Sequence, residues 1–457
     1  MVQLYRSFTK ALTPLVRLHM LLRRWKGKED ASVAFAERWG VYEHRHRDFG
    51  EKNAVWIHAA SVGESVSIAL PLIHKIVSTW GTTLPVVLSV GTVGAKNAAS
   101  KRLPPSCKCI YAPVDLPGAV DAFFDFWEPS AAIFTESELW PNLIFTAHER
   151  GVPVALVNGK ISEKSFYAWN KWAGGRFLVN EMLSNFHSVH CQTEEDRVRF
   201  LRLGAKSLNT HVFPSLKLMQ QSKEDLVFDV ERRVIGNIFD ALQIKVCWVA
   251  GSTYAEEESL ALYVHKLCTV HGIGNSLTII APRQIERAQR DVLKKAEFAC
   301  REKVNIILWS ECLNNFEGIK KTLSPERSTV LIVDTLGDLV LFYEYADVAL
   351  VGGSLVANGV GGHNVAEAAL RGCHTFVGKY LEDRASVIDP LVSNGSMVSI
   401  LKGETLIECA NDIFDTIRDH HMRGDPRTRS SPVRFEPSIA DSVLNDLART
   451  GVIANRV

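Results

Sequence analysis

An acidic residue follows the first strongly apolar run of the sequence at a spacing that suits proton transfer. The run is Val55–His58, and Ser61, Gly63 and Glu64 come directly after it. The small residues let a ligand approach the backbone, and Glu64 at a helix start could accept a proton from an attacking hydroxyl. The alternative is that Glu64 only complements the helix dipole. From these residues alone the alternative is the simpler interpretation.

Two further turns carry charged side chains that suit a sugar or a phosphate. In the turn Thr135–Asn142, Glu136 and Glu138 lie two residues apart before a Trp-Pro pair. These acids could hydrogen-bond sugar or amine groups, although a solvated helix start explains them nearly as well. Lys160 and Lys164 could meet an acceptor phosphate as point charges, and ordinary surface lysines are an equal alternative.

The second half of the chain has turns after apolar runs that suit a nucleotide. Ser252 and Thr253 precede an acidic helix start, where hydroxyl and N–H groups could hold a phosphate. The alternative is a plain N-cap by either residue. Pro282 and Arg283 place an arginine at the end of another apolar run, where it could bind a nucleotide phosphate or a carboxylate.

Glycine-rich turns between residues 352 and 367 are the most specific element of the pattern. They are Gly352-Gly353-Ser354 and Gly361-Gly362-His363-Asn364, with Glu367 one turn later. Glycine permits tight turns and a close approach of the backbone to a ligand. Asn364 with Glu367 is also a capping-box-like pair, and the same carboxylate could bind ribose hydroxyls. We favour a ligand-binding role for these turns because three glycine-rich turns converge on one expected cleft edge.

Short apolar runs alternate with helical stretches along most of the chain, and they predict the elements that position these turns. Such runs are typical of parallel strands covered by helices on both faces. A charged stretch at 222–233 breaks the pattern, which then restarts. We therefore predict an α/β protein with two doubly wound sheets in tandem and a ligand cleft between them. Residues 310–329 are predicted to be a polar surface excursion.

The predicted domain organisation follows from this pattern. It comprises a basic helix at 1–30, a Rossmann-like acceptor domain at 31–220, a Rossmann-like nucleotide-sugar donor domain at 240–410 and a helical tail at 411–457.

The composition narrows the class of protein. With 457 residues, 46% hydrophobic and 23% charged, the chain has the size and balance of a folded protein of more than one domain. A net charge of +1 disfavours nucleic acid as a partner. The nine cysteines are scattered and form no zinc-binding pattern. The sequence lacks a P-loop, an H-E-x-x-H motif and a persuasive nucleophile elbow, which disfavours ATPases, zinc proteases and hydrolases.

The N-terminal segment differs from the rest of the chain. Its first 28 residues carry seven Lys and Arg residues, and no acid occurs before Glu29. The apolar residues between them form no run near the ~18 residues needed to span a bilayer. The pattern predicts a basic amphipathic helix on an anionic membrane surface. A mitochondrial presequence and a solvated helix are the alternatives.

Taken together, the motifs resemble the 3-deoxy-D-manno-octulosonic acid (Kdo) transferases of lipopolysaccharide synthesis. The resemblance runs from about Tyr5 to about residue 420, with several motifs in family order. They are Ala36–Gly40, His58–Glu64, Thr135–Asn142, Asn158–Ser165, Gly251-Ser252-Thr253, Pro282-Arg283, Asp334–Leu339 and Gly352–Glu367.

The resemblance implies a GT-B fold, with the two Rossmann-like domains facing a central cleft, and an inverting transfer without a metal or other cofactor. Family members take Kdo from CMP-Kdo and place it on lipid A precursors at a membrane face. Glu64 matches the residue regarded as the catalytic base. Arg283, Ser354, Asn364 and Glu367 lie in the motifs that hold the cytidylate. The N-terminal helix would dock on the membrane near the acyl chains of the acceptor.

The expected site divides into two sets of residues. For the CMP-Kdo donor these are Ser252, Thr253, Pro282, Arg283, Gly353, Ser354, Gly362, His363, Asn364 and Glu367. For the acceptor they are Ser61, Gly63, Glu136, Glu138, Lys160 and Lys164.

The sequence departs from the family pattern at several positions. Gln284 stands where a histidine usually follows Pro-Arg, and Ala368 stands where a proline is usual. Pro214-Ser215 replaces Gly-Asn, and Gly159 replaces an alanine. These departures favour an organellar, plant-type member, which predicts a mitochondrial location in a plant and the cytoplasmic face of the inner membrane in a bacterium. Two other hypotheses are a GT-B enzyme with another donor, such as an epimerase, and a silent membrane-bound nucleotide-binding scaffold.

Overall fold

The computed structural model describes residues 1–25, 33–42, 53–81, 84–171, 173–219, 228–300, 304–355, 362–381, 384–423 and 438–453. The chain forms two compact units. The first comprises Met1–Asp225 with Glu436–Val457, and the second comprises Leu226–Phe435. Residues 411–457, predicted as one tail, are therefore divided between the units.

The strands and helices alternate as the apolar pattern predicts. The strands are β1 (Val55–Ala59), β2 (Val86–Val90), β3 (Cys107–Tyr111), β4 (Ala131–Thr135), β5 (Val154–Gly159), β6 (Ser188–Cys191), β7 (Thr210–Val212), β8 (Val246–Thr253), β9 (Ser276–Pro282), β10 (Val304–Leu308), β11 (Ser328–Ile332), β12 (Val348–Val351), β13 (His374–Val377) and β14 (Val398–Ile400). The α-helices are α1 (Val2–Ala11), α2 (Thr13–Trp25), α3 (Val33–Arg38), α4 (Val62–Glu64), α5 (Leu70–Trp80), α6 (Val93–Ser100), α7 (Pro117–Trp127), α8 (Pro141–Glu149), α9 (Glu163–Asn170), α10 (Ala173–Ser184), α11 (Glu194–Leu203), α12 (Asp229–Leu242), α13 (Ala255–Val270), α14 (Leu293–Cys300), α15 (Trp309–Lys320), α16 (Leu339–Tyr343), α17 (Ala366–Ala369), α18 (Asp389–Ser393), α19 (Leu406–Arg423) and α20 (Ser438–Arg449).

The first unit is built on a parallel sheet with the strand order β3-β2-β1-β4-β5-β6-β7. The central strands β1, β2 and β4 are buried along their whole length, as expected for a sheet covered on both faces. The strand order reverses between β1 and β4, which is the topological switch point where ligands of such sheets bind. The turns after these two strands hold four of the candidate acceptor residues, namely Ser61, Gly63, Glu136 and Glu138.

The second unit is built on a parallel sheet with the order β10-β11-β9-β8-β12-β13-β14. Its switch point lies between β8 and β12, where Val351 pairs with Gly251. The turns after these strands contain the glycine-rich motifs. The predicted α/β class, with two Rossmann-like doubly wound sheets, is confirmed. The predicted cleft between them stays a prediction.

Bulky side chains fill the interior of each unit. Trp56 on β1 packs against Phe123, Phe124 and Phe134 with ring centroids 4.6–5.7 Å apart. Its indole N–H donates to the Ser89 hydroxyl at 2.8 Å, which satisfies a polar atom in the core. The strand that precedes Glu64 is thus anchored in the aromatic core of the unit.

The segment 310–329, predicted to be a polar surface excursion, lies largely at the surface, but it contains regular structure. Helix α15 occupies most of this segment, and Trp309, Cys312 and Phe316 are buried along it. The spacing of three and four residues between these buried side chains is the signature of a helix packed on one face. The many polar residues between them concealed that pattern.

The N-terminal segment forms α1 and α2, and no helix among the described residues is long and apolar enough to cross a membrane. Arg6 pairs with Asp121 and Glu149, and Thr9 accepts from the Asn142 amide at 3.2 Å. These contacts hold α1 against the first unit. Large apolar side chains on both helices are exposed, namely Leu4, Phe8, Leu15, Leu18, Leu21, Leu22 and Trp25.

The C-terminal helix α20 packs on the first unit. Asp446 accepts hydrogen bonds from Ser188 at 2.6 Å and His190 at 2.7 Å, and all three residues are buried. Lys75 pairs with Asp441 at 2.7 Å on the other side of the helix. Ser188 and His190 thus find their partner 256–258 residues later in the chain.

Candidate functional site

Glu64 lies at the end of the short helix α4, beyond the carboxyl end of β1. Ser61 caps this helix and accepts from the Glu64 N–H at 3.2 Å. The Glu64 carboxylate accepts from the Thr135 hydroxyl at 2.9 Å and from the Ala60 N–H at 3.2 Å. Thr135 ends β4, so the carboxylate bridges the two strands of the switch point. A π-helical turn at Ser65–Ala69 follows directly, a feature frequent at functional sites.

The environment of Glu64 favours its protonated form. Burial raises the pKa of this carboxyl, and the negative charges of Glu136 and Glu138 raise it further. Hydrogen bonds from Ser61 and Thr135 offset part of this shift. Only 9% of the residue is exposed. A carboxylate with a raised pKa is a stronger base near neutral pH, which suits general-base catalysis.

Glu138 differs from Glu64 because it has strong hydrogen-bond partners. Burial raises its pKa, but hydrogen bonding and charge from His58 and a hydrogen bond from Trp140 bring it below the ordinary value. The Trp140 indole N–H lies 2.6 Å from Glu138 Oε2, and His58 Nε2 lies 3.5 Å from it. Glu138 therefore stays ionised beside Glu64. Ser89 contacts His58 Nδ1 at 2.9 Å and so orients the ring.

Glu136 occupies a left-handed backbone conformation with φ of +50°, which few non-glycine residues adopt. Its carboxylate pairs with Lys217 at 3.0 Å and lies 3.5 Å from the Asn158 amide. The backbone N–H of Lys160 donates to the Glu136 carbonyl at 3.3 Å. The turns after β4 and β5 are thereby tied together. Sites with such strained turns are often functional.

The structure brings most of the predicted acceptor residues to one edge of the first sheet. Ser61 and Gly63 are exposed at the turn after β1, and Glu136 and Glu138 are part-buried after β4. Lys160 follows β5 and is also part-buried. Lys164 differs because it is exposed within α9, and no contact to the acids is observed for it among the described residues.

A second buried glutamate organises the corresponding edge of the second sheet. Glu257 lies in the first turn of α13, directly after β8, and is fully buried. It accepts from the N–H groups of Gly353 at 2.8 Å, Tyr254 at 3.0 Å and Leu355 at 3.3 Å. A Cβ at Gly352 would lie 2.5 Å from Glu257 Oε2, so glycine is required there. Glu257 thus joins the turns after β8 and β12.

Two buried polar atoms near these turns have no hydrogen-bond partner among the described residues. They are the hydroxyl of Thr253, which is 1% exposed, and Nε2 of His363. Both atoms are therefore free to hydrogen-bond a ligand or a water. Burial, with the charge of Arg283 adding to it, lowers the pKa of His363 to about 4. The His363 ring stacks on Tyr254 with centroids 5.8 Å apart.

The other predicted donor residues differ in their exposure. Arg283 is exposed, Ser252 is part-buried with a φ of +55°, and Pro282 is buried at the end of β9. The Ser354 hydroxyl, in contrast, accepts from the Gly378 N–H at 2.8 Å and lies 3.3 Å from the Val351 carbonyl. Its role in the free protein is therefore to hold the turn together.

The glycine-rich turns converge as predicted. The N–H groups of Gly362 and His363 donate to the carbonyls of Gly353 and Gly352 at 2.9 and 3.2 Å. The Gly353 N–H is already used by Glu257 and is not available to a phosphate. Gly361 lies outside the described residues.

The capping-box-like pair at the end of these turns is also observed. The Asn364 amide lies 3.0 Å from Glu367, and its side-chain oxygen accepts from the Ala366 N–H at 3.2 Å. The structural role assigned to this pair is therefore real, while ribose binding by Glu367 stays a prediction.

Several residues of the site were not singled out from the sequence. His58 and Thr135 stood inside recognised motifs, yet only the fold shows that they contact Glu138 and Glu64. Lys217 gave no signal, because its partner Glu136 lies 81 residues earlier in the chain. Glu257 was visible as one acid of a run at a helix start, which did not indicate which side chain turns inward. Within the described residues, no group of three or more His, Cys, Asp and Glu is placed to hold a metal ion.

Comparisons with known proteins agree with this architecture. Residues 34–220 match the family model described as 3-deoxy-D-manno-octulosonic-acid transferase. A probable mitochondrial 3-deoxy-D-manno-octulosonic acid transferase of Arabidopsis thaliana is 31% identical over 82% of this chain and 79% of its own length. A Rickettsia bellii 3-deoxy-D-manno-octulosonic acid transferase is 27% identical over 98% of this chain and 99% of its own length.

Solved structures support the fold. A UDP-GlcNAc 2-epimerase from Neisseria meningitidis bound to UDP-GlcNAc superposes with a TM-score of 0.56 at 12% identity, covering 87% of this chain and 100% of the epimerase chain. At this identity the likeness concerns the fold alone. It agrees with the GT-B class, in which one chain carries two Rossmann-like units.

Proposed function

The chain belongs to the family of Kdo transferases, and on that premise we propose that it moves Kdo from CMP-Kdo to a lipid A-type acceptor, with release of CMP. The observation that carries the proposal is Glu64. It is a buried carboxylate with a raised pKa, placed at the switch point of the first sheet. The glycosyltransferase class follows from the family, whereas the acceptor, the donor and the stereochemistry are proposed.

Glu64 acts as the general base in this proposal. Thr135 and Ala60 hold its Oε2, and we assign Oε1 as the atom that takes the proton from an acceptor hydroxyl. The hydroxyl oxygen forms a bond to the anomeric carbon of Kdo as the bond from that carbon to the phosphate oxygen breaks. CMP leaves with the electron pair, and the anomeric configuration inverts. No metal ion takes part.

The second unit holds the cytidylate. The orphan hydroxyl of Thr253 and Nε2 of His363 supply hydrogen-bonding groups that lack a partner in the described residues. Arg283 supplies an exposed positive charge for the phosphate of the leaving group. Asn364 and Glu367 complete the site at the ribose. These roles follow from the family motifs and from the convergence of the glycine-rich turns.

The N-terminal helices provide the membrane contact. They combine the exposed apolar side chains named above with Lys10, Arg17, Arg23 and Arg24. Apolar residues interleaved with basic ones suit the interface of an anionic membrane. Contact there would bring the site to the acyl chains of the acceptor. The location is mitochondrial if the source is a plant and the cytoplasmic face of the inner membrane if it is a bacterium.

The test is transfer from freshly generated CMP-Kdo to a tetra-acylated lipid A precursor, followed by mass spectrometry. Wild type and Glu64→Ala are assayed side by side, and CMP binding is measured for both. We expect product from the wild type only, with CMP affinity within about threefold of wild type in the variant. Full activity of Glu64→Ala would rule out this base. CMP binding without product from the wild type would favour another acceptor or a silent scaffold.

A further inference from the structure

Trp140 stands out among the exposed aromatic residues of the first unit. It precedes α8, and 43% of the residue is exposed. Its indole N–H donates to Glu138 at 2.6 Å. The polar edge of the side chain is therefore fixed to the acidic cluster, while much of the ring remains accessible. Scattered exposed apolar residues need no explanation, but a tryptophan tethered to a charged site combines two features of a ligand platform.

The tether connects the ring to the base. Glu138 lies close enough to Glu64 for its negative charge to raise the pKa of that carboxyl. His58 contacts the same oxygen of Glu138 from the core side. The indole ring is thus linked to Glu64 through Glu138.

The backbone that carries the ring is held in place. Asp115 accepts from the N–H of Asn142 at 3.2 Å and from the N–H of Leu143 at 2.9 Å. The Asn142 amide also donates to the Asp115 carbonyl at 2.6 Å. Pro141 fixes the first helical position. A ring on such a segment loses little conformational freedom when it binds a ligand, which favours affinity.

We propose that the Trp140 ring is the platform on which a sugar ring of the acceptor stacks while its hydroxyl is presented to Glu64. The proposal rests on the function proposed above and names the residue that holds the acceptor sugar. A pyranose has an apolar face of C–H groups, which matches an aromatic face, and its hydroxyls suit the surrounding carboxylates. The N–H bond to Glu138 sets the angle of the platform.

The experiment compares Trp140→Ala, Trp140→Phe and Phe298→Ala in steady-state transfer assays, with acceptor and CMP-Kdo varied separately. Phe298 is 84% exposed and lies in the second unit, so it controls for the loss of an exposed ring. For Trp140→Ala we expect the KM of the acceptor to rise about tenfold, while the KM of CMP-Kdo and kcat stay within about twofold. Trp140→Phe keeps an aromatic face and should raise the acceptor KM less than about threefold.

Four results would overturn the platform. The first is an unchanged acceptor KM in Trp140→Ala, and the second is a raised KM for CMP-Kdo. The third is a lower kcat with unchanged acceptor KM, which would mean that Trp140 only positions Glu138. An equal loss in Trp140→Phe and Trp140→Ala would also overturn it, because the N–H and not the ring would then matter.

A binding measurement separates this inference from the proposed function. The acyl-free glucosamine disaccharide of lipid A is added to each variant, and contact is read by saturation-transfer NMR. If the wild type transfers no Kdo but binds the disaccharide, and Trp140→Ala does not, the platform stands and the transfer reaction fails. If the wild type does not bind it, or Trp140→Ala binds it equally, the platform is wrong.

Discussion

Glu64 and Glu257 occupy corresponding places in the two units and are held in opposite ways. Each lies in the first helical turn after β1 or β8, beside the switch point of its sheet. Glu257 accepts from three backbone N–H groups and is fully buried. Glu64 accepts from one N–H and from the hydroxyls of Thr135 and Ser61, and it lies beside the negative charges of Glu136 and Glu138.

The difference shows that burial does not by itself identify a reactive carboxylate. Burial raises the pKa of both groups. For Glu257 the next influences are hydrogen bonds that lower its pKa, whereas for Glu64 they are like charges that raise it further. Glu257 joins two turns, whereas Glu64 is a carboxylate with a raised pKa that can accept a proton. The candidate reactive carboxylate is Glu64, which is flanked by like charges and not mainly by backbone N–H groups.

The largest expected effect is on kcat, and it distinguishes Glu64 from Glu257. We expect Glu64→Gln to lower kcat by about 10³-fold, within the range for loss of a general base. Its free energy of unfolding at neutral pH should equal or exceed that of wild type, because a buried charge beside two acids is removed. Kinetics and urea unfolding on the same preparation test this. A destabilised Glu64→Gln would mean that Glu64 is structural like Glu257.

The same substitution at the other glutamate should act on stability. In Glu257→Gln an amide NH₂ group faces backbone N–H donors, so we expect the free energy of unfolding to fall by about 2–3 kcal/mol. Any loss of transfer should follow the loss of folded protein. Urea unfolding of Glu257→Gln and Glu64→Gln side by side is the measurement. Equal stability of the two variants would contradict the comparison.

A smaller effect is expected at the threonines that end β4 and β8. Thr135 donates to Glu64, whereas Thr253 has a buried hydroxyl without a partner among the described residues. Thr253→Val should leave the free energy of unfolding unchanged or raised and weaken CMP binding about fivefold. Calorimetric titration with CMP tests this. The control is Thr278→Val on β9, which removes a hydroxyl that accepts from the Trp248 indole N–H at 2.9 Å, and it should lower the free energy of unfolding without changing CMP affinity. Unchanged CMP affinity would show that the orphan hydroxyl contacts no ligand.

The smallest effect concerns pH. Because the pKa of Glu64 is raised in the folded protein, its contribution to the free energy of unfolding is complete below the ordinary glutamate pKa. That contribution is lost as pH rises through the folded pKa.

The activity should depend on the same ionisation. The acidic limb of the pH profile, where kcat/KM falls as Glu64 becomes protonated, should follow the same folded pKa. Glu138→Gln removes a like charge, so this limb should move to lower pH. A shift to higher pH would contradict the assigned repulsion.

The sequence was sufficient for part of the site and for the central strands of both sheets, but not for the edge strands β3, β7 and β14. The central strands are apolar on both faces, so their runs were visible, and the turns after them contained Glu64, Glu136 and Glu138. Residue contacts across long separations were not visible. The contact of Glu257 with Gly353 spans 96 residues, and the same distance hid the fact that the Gly353 N–H is occupied. The helix at Trp309–Lys320 was missed because its buried residues are few.

The docking of α20 has a consequence for the synthesis of the chain. Ser188 and His190 are made early, but the helix that carries Asp446 leaves the ribosome only after the whole second unit. During translation the first unit therefore exposes two polar groups and an uncovered patch that the finished protein buries. The strands of each sheet lie within one continuous segment, so the first sheet can form before the second, and only its cover by α20 is delayed. Closure of the first unit therefore waits until the second unit has been made.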